Sequence, residues 1–278
     1  MTMPARPVAV VTGGARGIGR QIAGDLLAAG YRVVIGDLDL RATEHTALEL
    51  GEHASAVRLD VTNAELLRAV VQKVESDIGP IEVWVNNAGF MPTGTFLSQS
   101  PELLDTVIAV DFRAVVDATT VVLPLLAHRG HGTIVNIASA TGVKPLAGLA
   151  VYSGTKAAIV SYSDALRREL RGTRVHICVV LPNLVSTAMG AGITAPRGFG
   201  AVTIHQVSRA TLRAIHRGTF ATFVPSRLGP ALRLTRLLPL GMQDWLDDRI
   251  GTDRIGLGGD PAARTAYLDD VLKKKKAR

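Results

Sequence analysis

Short runs of aliphatic and β-branched residues alternate with helix-length stretches along most of the chain. Seven runs read as buried strands: Pro7 to Thr12, Arg32 to Ile35, Ala54 to Leu59, Ile81 to Val85, Thr133 to Ile137, Val175 to Val180 and Thr219 to Val224. The stretches Gly17 to Ala29, Arg41 to Leu50, Asn63 to Asp77, Pro101 to His128, Val151 to Arg171 and Val202 to Arg217 read as helices, each ending near glycine, proline or a basic residue. Continuous apolar strands separated by helices predict an α/β fold: one doubly wound Rossmann-type domain whose seven-stranded parallel sheet carries helices on both faces. No solenoid-length repeat and no linker divides residues 1–225, which are expected to hold both the dinucleotide site and the catalytic site, with a Gly-, Pro-, Ser- and Thr-rich substrate loop over 183–205.

Residues 226–278 differ in character. Leu228, Leu232, Leu234, Leu237, Leu238 and Leu240 are interspersed with Arg227, Arg233 and Arg236, which predicts short amphipathic helices broken at Pro230 and Pro239. The expectation is a helical extension packed on the same domain. A sister subunit, a substrate lid and a membrane-surface contact are the alternatives.

Composition narrows the class. With 47% hydrophobic residues and few aromatics the chain can bury an aliphatic core. Cys178 is the single cysteine, so no intrachain disulfide forms, which fits a cytoplasmic setting. The start of the chain does not read as a secretory signal, and no segment approaches a membrane span. The net charge of +7 does not indicate a nucleic-acid partner: five positive charges sit in the last six residues, and without them 26 basic residues face 24 acidic ones. No metal site is expected.

The first chemical signal follows the first strand. Thr12-Gly13-Gly14-Ala15-Arg16-Gly17-Ile18-Gly19 opens a helix, where glycines let backbone amides approach a pyrophosphate. Glycines also make ordinary turns, so the context decides. The second strand ends at Gly36-Asp37, placing a carboxylate where it can accept from adenosine ribose hydroxyls and repel a 2'-phosphate. NAD is therefore favoured over NADP, although Arg16 and Arg41 could hold a phosphate. The third and fourth strands close at Asp60-Val61 and at Asn86-Asn87-Ala88-Gly89, which adds polar groups at further strand ends.

The second signal is Tyr152 and Lys156, one helical turn apart, with Ser139 just past the fifth strand. These can supply a proton-transfer group, a charge that acidifies it, and a neutral hydrogen bond that orients a substrate oxygen. A lone Tyr and Lys at this spacing is usually surface decoration; the combination carries the weight.

Taken together, Thr12-Gly13-x-x-x-Gly17-x-Gly19, Asp60, Asn86-Asn87-Ala88-Gly89, Ser139 and Tyr152-x-x-x-Lys156 resemble the motifs of the short-chain dehydrogenase/reductase family in order and spacing, from Pro7 to about Val224. The resemblance implies a bound NAD or NADP and a homodimer or tetramer. It implies Tyr152 as general acid/base, Ser139 as the group that polarises the substrate oxygen, and Lys156 on the nicotinamide ribose. Asp60 would lie by the adenine, Asn87 and Gly89 by the adenosine ribose, and Thr187 by the nicotinamide carboxamide, with Val61, Ala88, Pro182 and Val185 also expected to bind the dinucleotide.

Two positions depart from the pattern. Asp111 stands where the family carries the asparagine of a proton relay, and its charge would oppose acidification of the tyrosine. Asn183 follows Pro182 where the family prefers glycine, a turn that asparagine tolerates at positive φ. The candidate pocket walls, Phe90 to Phe96, Ala140 to Leu149 and Met189 to Phe199, are largely apolar, which points to an apolar secondary alcohol or ketone. The alternatives are an NADPH-dependent carbonyl reductase and a dinucleotide-binding protein impaired by Asp111.

Overall fold

A computed structural model describes residues 6–193 and 200–276. Residues 194–199 of the Met189 to Phe199 wall, and Arg278 of the basic tail, lie outside the described residues.

The seven strands are β1 (Val8–Thr12), β2 (Arg32–Asp37), β3 (Ala54–Arg58), β4 (Ile81–Asn86), β5 (His131–Ile137), β6 (Arg174–Pro182) and β7 (Ala221–Val224). They form one parallel sheet in the order β3-β2-β1-β4-β5-β6-β7. Period-two alternation divides each apolar run between two cores. Ala9, Val11, Val33, Ile35, Val83 and Val85 pack on one face with Ile22 and Leu26 of α1 (Gly17–Ala28) and Val207, Ala210 and Ala214 of α7 (Ile204–Arg217). That side also carries α2 (Leu40–Leu50), through Ala47. On the other face Val8, Val10, Val34 and Trp84 meet Leu67, Val70 and Val74 of α3 (Ala64–Asp77) and Val122 and Leu126 of α5 (Ala114–Arg129). Here α6 (Ala150–Glu169) buries Ile159 against Val179 and Leu181. Cys178 is enclosed in the first core, where burial pushes its thiol up to about 12. Because β1 lies between β2 and β4, the chain leaves it in opposite directions on the two sides, and a crevice opens at the carboxyl ends of the strands at this switch point.

The predicted single helix from Pro101 to His128 is interrupted. It consists of α4 (Pro101–Ile108), a π-helical turn at Ala109–Arg113, and α5. The wider turn admits one extra residue and directs Asp111 into the protein, a local irregularity frequent at functional sites. Strand β7 starts at Ala221 rather than Thr219, because Gly218 caps α7 in the left-handed region and the Thr219 N–H still bonds the Ala214 carbonyl.

Beyond β7 the chain forms α8 (Leu228–Thr235), α9 (Leu240–Ile250), α10 (Arg254–Leu257) and α11 (Pro261–Lys276). Pro230 does not break a helix: it lies in the first turn of α8, where its missing N–H has no partner to lose. Pro239 caps the start of α9. A third apolar cluster, including Phe90, Met91, Leu149, Tyr152 and Ile255, takes in Tyr267, Leu268 and Val271 of α11. The extension therefore lies over the strand ends. Among the described residues no helix is long and apolar enough to cross a membrane.

Candidate active site

The crevice is built outward from the end of β1. The Thr12 hydroxyl bonds the Val85 carbonyl at 3.3 Å and accepts from the N–H groups of Asn87 at 3.0 Å and Ala88 at 3.1 Å. Both Asn87 side-chain contacts, to the Thr12 and Gly13 carbonyls at 2.9 Å, hold the glycine-rich turn against β4. Asn87 is thus a clamp on the loop as well as a lining residue. Gly13 and Gly17 adopt φ of 63° and 56°, which side chains resist. Arg16, at the N-cap of α1, makes no side-chain cap, so the first amides of the helix have no such partner. This suits an anionic diphosphate.

Gly19 does not line the crevice; its role is close packing. A Cβ there would stand 2.3 Å from the Gly13 carbonyl oxygen and 2.5 Å from Asn87 Nδ2. Gly19→Ala is accordingly expected to destabilise the fold by about 1–3 kcal/mol through overpacking. An unchanged urea midpoint would show that the turn relaxes freely.

At the end of β2 the Asp37 carboxylate accepts from the Ala15 N–H at 3.2 Å and the Asp39 N–H at 3.3 Å. This fixes it beside the glycine-rich turn. Arg16 is drawn to carboxylates, bonding Asp39 at 3.0 Å and lying 3.6 Å from Asp270 of α11. Arg41 is exposed. The Asp60 carboxylate accepts from the Thr62 N–H at 3.0 Å and its hydroxyl at 2.7 Å, an arrangement that turns the chain after β3.

The proton-transfer candidates converge. Ser139 follows β5 and caps a short 3-10 turn at Ala140–Gly142; its hydroxyl accepts from the Thr141 N–H at 3.2 Å and hydroxyl at 3.0 Å. Tyr152 and Lys156, both buried, project from adjacent turns of α6, with the ammonium 5.5 Å from the phenol ring centre. Lys156 Nζ lies 3.4 Å from both the Ile137 carbonyl oxygen and Asp111 Oδ2. Asp111 is fully buried beneath this group, and its Oδ1 accepts from the Phe90 N–H at 2.9 Å. It does not line the crevice.

Burial raises the Asp111 carboxyl above its usual range, against the opposing pull of Lys156 and the Phe90 N–H. The Tyr152 phenol is likewise raised, first by burial and then by the charge of Asp111, while a hydrogen bond from Ser139 opposes the shift. Asp111 thus works against ionisation of the tyrosine.

The cleft has a volume of about 460 Å³ and is lined by Gly13, Arg16, Gly17, Ile18, Asp37, Asp60, Val61, Asn87, Ala88, Gly89, Ser139, Tyr152, Lys156, Pro182, Val185 and Thr187. Phe90, Met91, Val110, Leu146 and Leu149, which cluster with Tyr152, give it an apolar wall. Asn183 also lines it but needs no left-handed backbone: among the described residues positive φ is confined to glycine, and the Asn183 N–H bonds the Val224 carbonyl at 2.9 Å.

Sequence reasoning missed the part played by α11. Tyr267, Asp270 and Val271 line the cleft. The Tyr267 hydroxyl accepts from the Met91 N–H at 3.3 Å. Arg264, 5% exposed, donates to the Thr93 hydroxyl at 3.1 Å, to the Met189 and Ala191 carbonyls at 2.6 and 3.3 Å, and to the Met91 carbonyl, with its guanidinium 4.8 Å from the Tyr267 ring centre. It ties the loop after β4 to the loop after β6. These partners are mostly main-chain atoms, so no residue spacing announces them.

Known proteins share this architecture. The ketoacyl reductase HetN of Nostoc sp. is 35% identical over 230 residues, covering 81% of this chain and 80% of that protein. The 1-deoxy-11-beta-hydroxypentalenate dehydrogenase of Streptomyces exfoliatus is 36% identical over 201 residues, 70% of this chain and 73% of that one. Among solved structures, a 3-ketoacyl-(acyl-carrier-protein) reductase from Brucella melitensis, complexed with NADH, matches with a TM-score of 0.71 and 25% identity, covering 78% of this chain and 96% of that chain. A short chain dehydrogenase/reductase from Burkholderia phymatum, in complex with NAD, shares the fold with a TM-score of 0.75 and 24% identity over 85% of this chain and 95% of that chain. The family model for short chain dehydrogenases matches residues 7–198, the span that holds the glycine-rich turn, Ser139, Tyr152 and Lys156. The protein is therefore an oxidoreductase of the short chain dehydrogenase family.

Proposed function

We propose that the protein reversibly oxidises an apolar secondary alcohol to a ketone, using NAD, with Tyr152 as general acid/base. The observation that carries this reading is that Tyr152, Ser139 and Lys156 line the same cleft as the glycine-rich turn and Asp37. When bound, NAD supplies the carbon that accepts the substrate hydride. Ser139 orients the substrate oxygen, and the hydroxyl proton passes to the Tyr152 phenolate. Lys156 favours that phenolate by its positive charge and holds the nicotinamide ribose. Asp60, Val61 and Ala88 would hold the adenosine side of the dinucleotide, and Pro182, Val185 and Thr187 the nicotinamide side. The walls Phe90, Met91 and Leu149 are apolar, which favours an apolar substrate over a phosphorylated or acidic one.

The ketoacyl reductase among the relatives and the dehydrogenase beside it are named for opposite directions, consistent with a reversible reaction. One observation favours an NADPH-dependent reductase: Arg16 borders the cleft. Its pairing with Asp39 weighs against it. A screen of apolar secondary alcohols and their ketones against NAD and NADP, read at the nicotinamide absorbance band, tests the proposal. Turnover with NAD is expected; exclusive use of NADP, or of charged substrates, contradicts it.

Asp111 adds a pH signature. Its carboxylate disfavours the Tyr152 anion, and alcohol oxidation accelerates as Tyr152 deprotonates, so the rising limb of the wild-type profile lies at higher pH than that of Asp111→Asn. The asparagine keeps an oxygen for the Phe90 N–H. A shift on the order of one pH unit towards acid is expected in kcat/KM. Superimposable profiles would show that the Asp111 charge does not reach the phenol.

A further inference from the structure

The segment from α8 to α9 presents an apolar surface that the catalytic reading does not use. Leu234, Leu237, Leu240, Met242 and Trp245 are all exposed, Leu237 and Leu240 by 81% and 76%. Such side chains are a minority on a soluble surface, and five within twelve residues leave the end of α8 and the start of α9 unusually apolar. Helix α9 buries none of its residues. It is fastened by polar contacts instead: Asp247 pairs with Lys144 at 2.5 Å, and just beyond the helix Asp253 accepts from the Ala147 N–H at 3.1 Å. Leu240, Met242 and Trp245 are thus left in solvent near the cleft wall formed by Leu146 and Leu149, while Leu246 and Ile250 are half-buried.

Charge identifies the occupant. Residues 226–240 contain Arg227, Arg233 and Arg236, all exposed, and no acidic residue. Across the whole segment these and Arg249 outnumber the exposed Asp244 and Asp248. Leucines and a tryptophan at the level of acyl chains, with arginine stems reaching up to headgroups, is the composition of an interfacial segment. A second copy of the same face would set arginines against arginines. From this pairing of exposed apolar side chains with the acid-free run of arginines over residues 226–240, we propose that α8 and the turn into α9 dock the protein on the surface of an anionic phospholipid bilayer.

The chain has two tryptophans; Trp84 is fully buried, whereas Trp245 is 63% exposed. A change in emission on adding vesicles therefore reports Trp245. The full-length protein is titrated with phosphatidylcholine vesicles with and without phosphatidylglycerol, and binding is confirmed by co-sedimentation. A blue shift and co-sedimentation with the anionic vesicles, weakened by salt, are expected. Arg233→Gln and Arg236→Gln should each weaken binding about fivefold. The Leu237→Glu, Leu240→Glu double variant should weaken it at least about tenfold while keeping wild-type turnover on a soluble alcohol. Unchanged Trp245 emission with no co-sedimentation overturns the proposal. So does a wild-type oligomer that the double variant splits without any vesicle binding, which would assign the patch to self-association. The emission and co-sedimentation readouts stand whether or not the substrate reading is correct.

Discussion

Replacing Tyr152 by Phe is expected to lower kcat at least about a thousandfold, within the range that positioned acid/base groups contribute. The change deletes a single hydroxyl. The ring stays in its apolar cluster with Phe90, Met91 and Leu149, so the fold has little reason to respond. Loss confined to kcat, with dinucleotide affinity retained, would place the hydroxyl in the transition state rather than in ground-state binding. The controls are the unfolding midpoint and NAD binding measured separately from turnover. A Tyr152→Phe enzyme that keeps its rate would remove the proton-transfer role and leave a binding protein in its place. The raised phenol makes the result informative: burial and Asp111 oppose ionisation, so the wild-type rate should climb steeply into alkaline pH, and the variant should show no such limb.

Asp37→Ala is expected to erode the preference for NAD over NADP by about 10- to 100-fold, through better use of NADP and poorer use of NAD. The carboxylate sits at the end of β2, fastened by two main-chain N–H groups, so it cannot swing away from an added phosphate. Two effects then act together. Ribose hydroxyls lose an acceptor, and a 2'-phosphate loses a fixed negative neighbour. Arg16 stays engaged with Asp39, which limits the gain for NADP. The ratio of kcat/KM for the two dinucleotides measures the outcome; an unchanged ratio would show that Asp37 serves the turn alone.

Much of the framework could be read from residue order because the central strands are near-continuous aliphatic runs buried on both faces, and β1 and β2 close at glycine and aspartate. The glycine-rich turn, Ser139, Tyr152 and Lys156 were visible for the same reason: each sits at a fixed distance from an element whose type was plain. What stayed hidden depends on geometry without periodicity. The π-helical turn at Ala109–Arg113 adds one residue to a helix whose polar and apolar pattern is otherwise smooth, so only the identity of Asp111 hinted at a peculiarity. The turn at Asn183 was read as a backbone problem, whereas the neighbouring strand resolves it through the Val224 carbonyl. The part that α11 plays was not legible at all. Tyr267 bonds the Met91 main chain from far along the sequence, and although a packed helical extension over 226–278 is expected, nothing in the spacing of Pro261–Lys276 announces that it lies across the strand ends.

Arg264 gives that helix a mechanical meaning. One guanidinium holds the backbones on either side of the pocket mouth, and among the described residues no carboxylate pairs with it. The two lips therefore behave as a single rigid collar, with the terminal helix as its crossbar. Moving either lip alone breaks its hydrogen bonds to that guanidinium, whereas a swing of the crossbar shifts both contacts together.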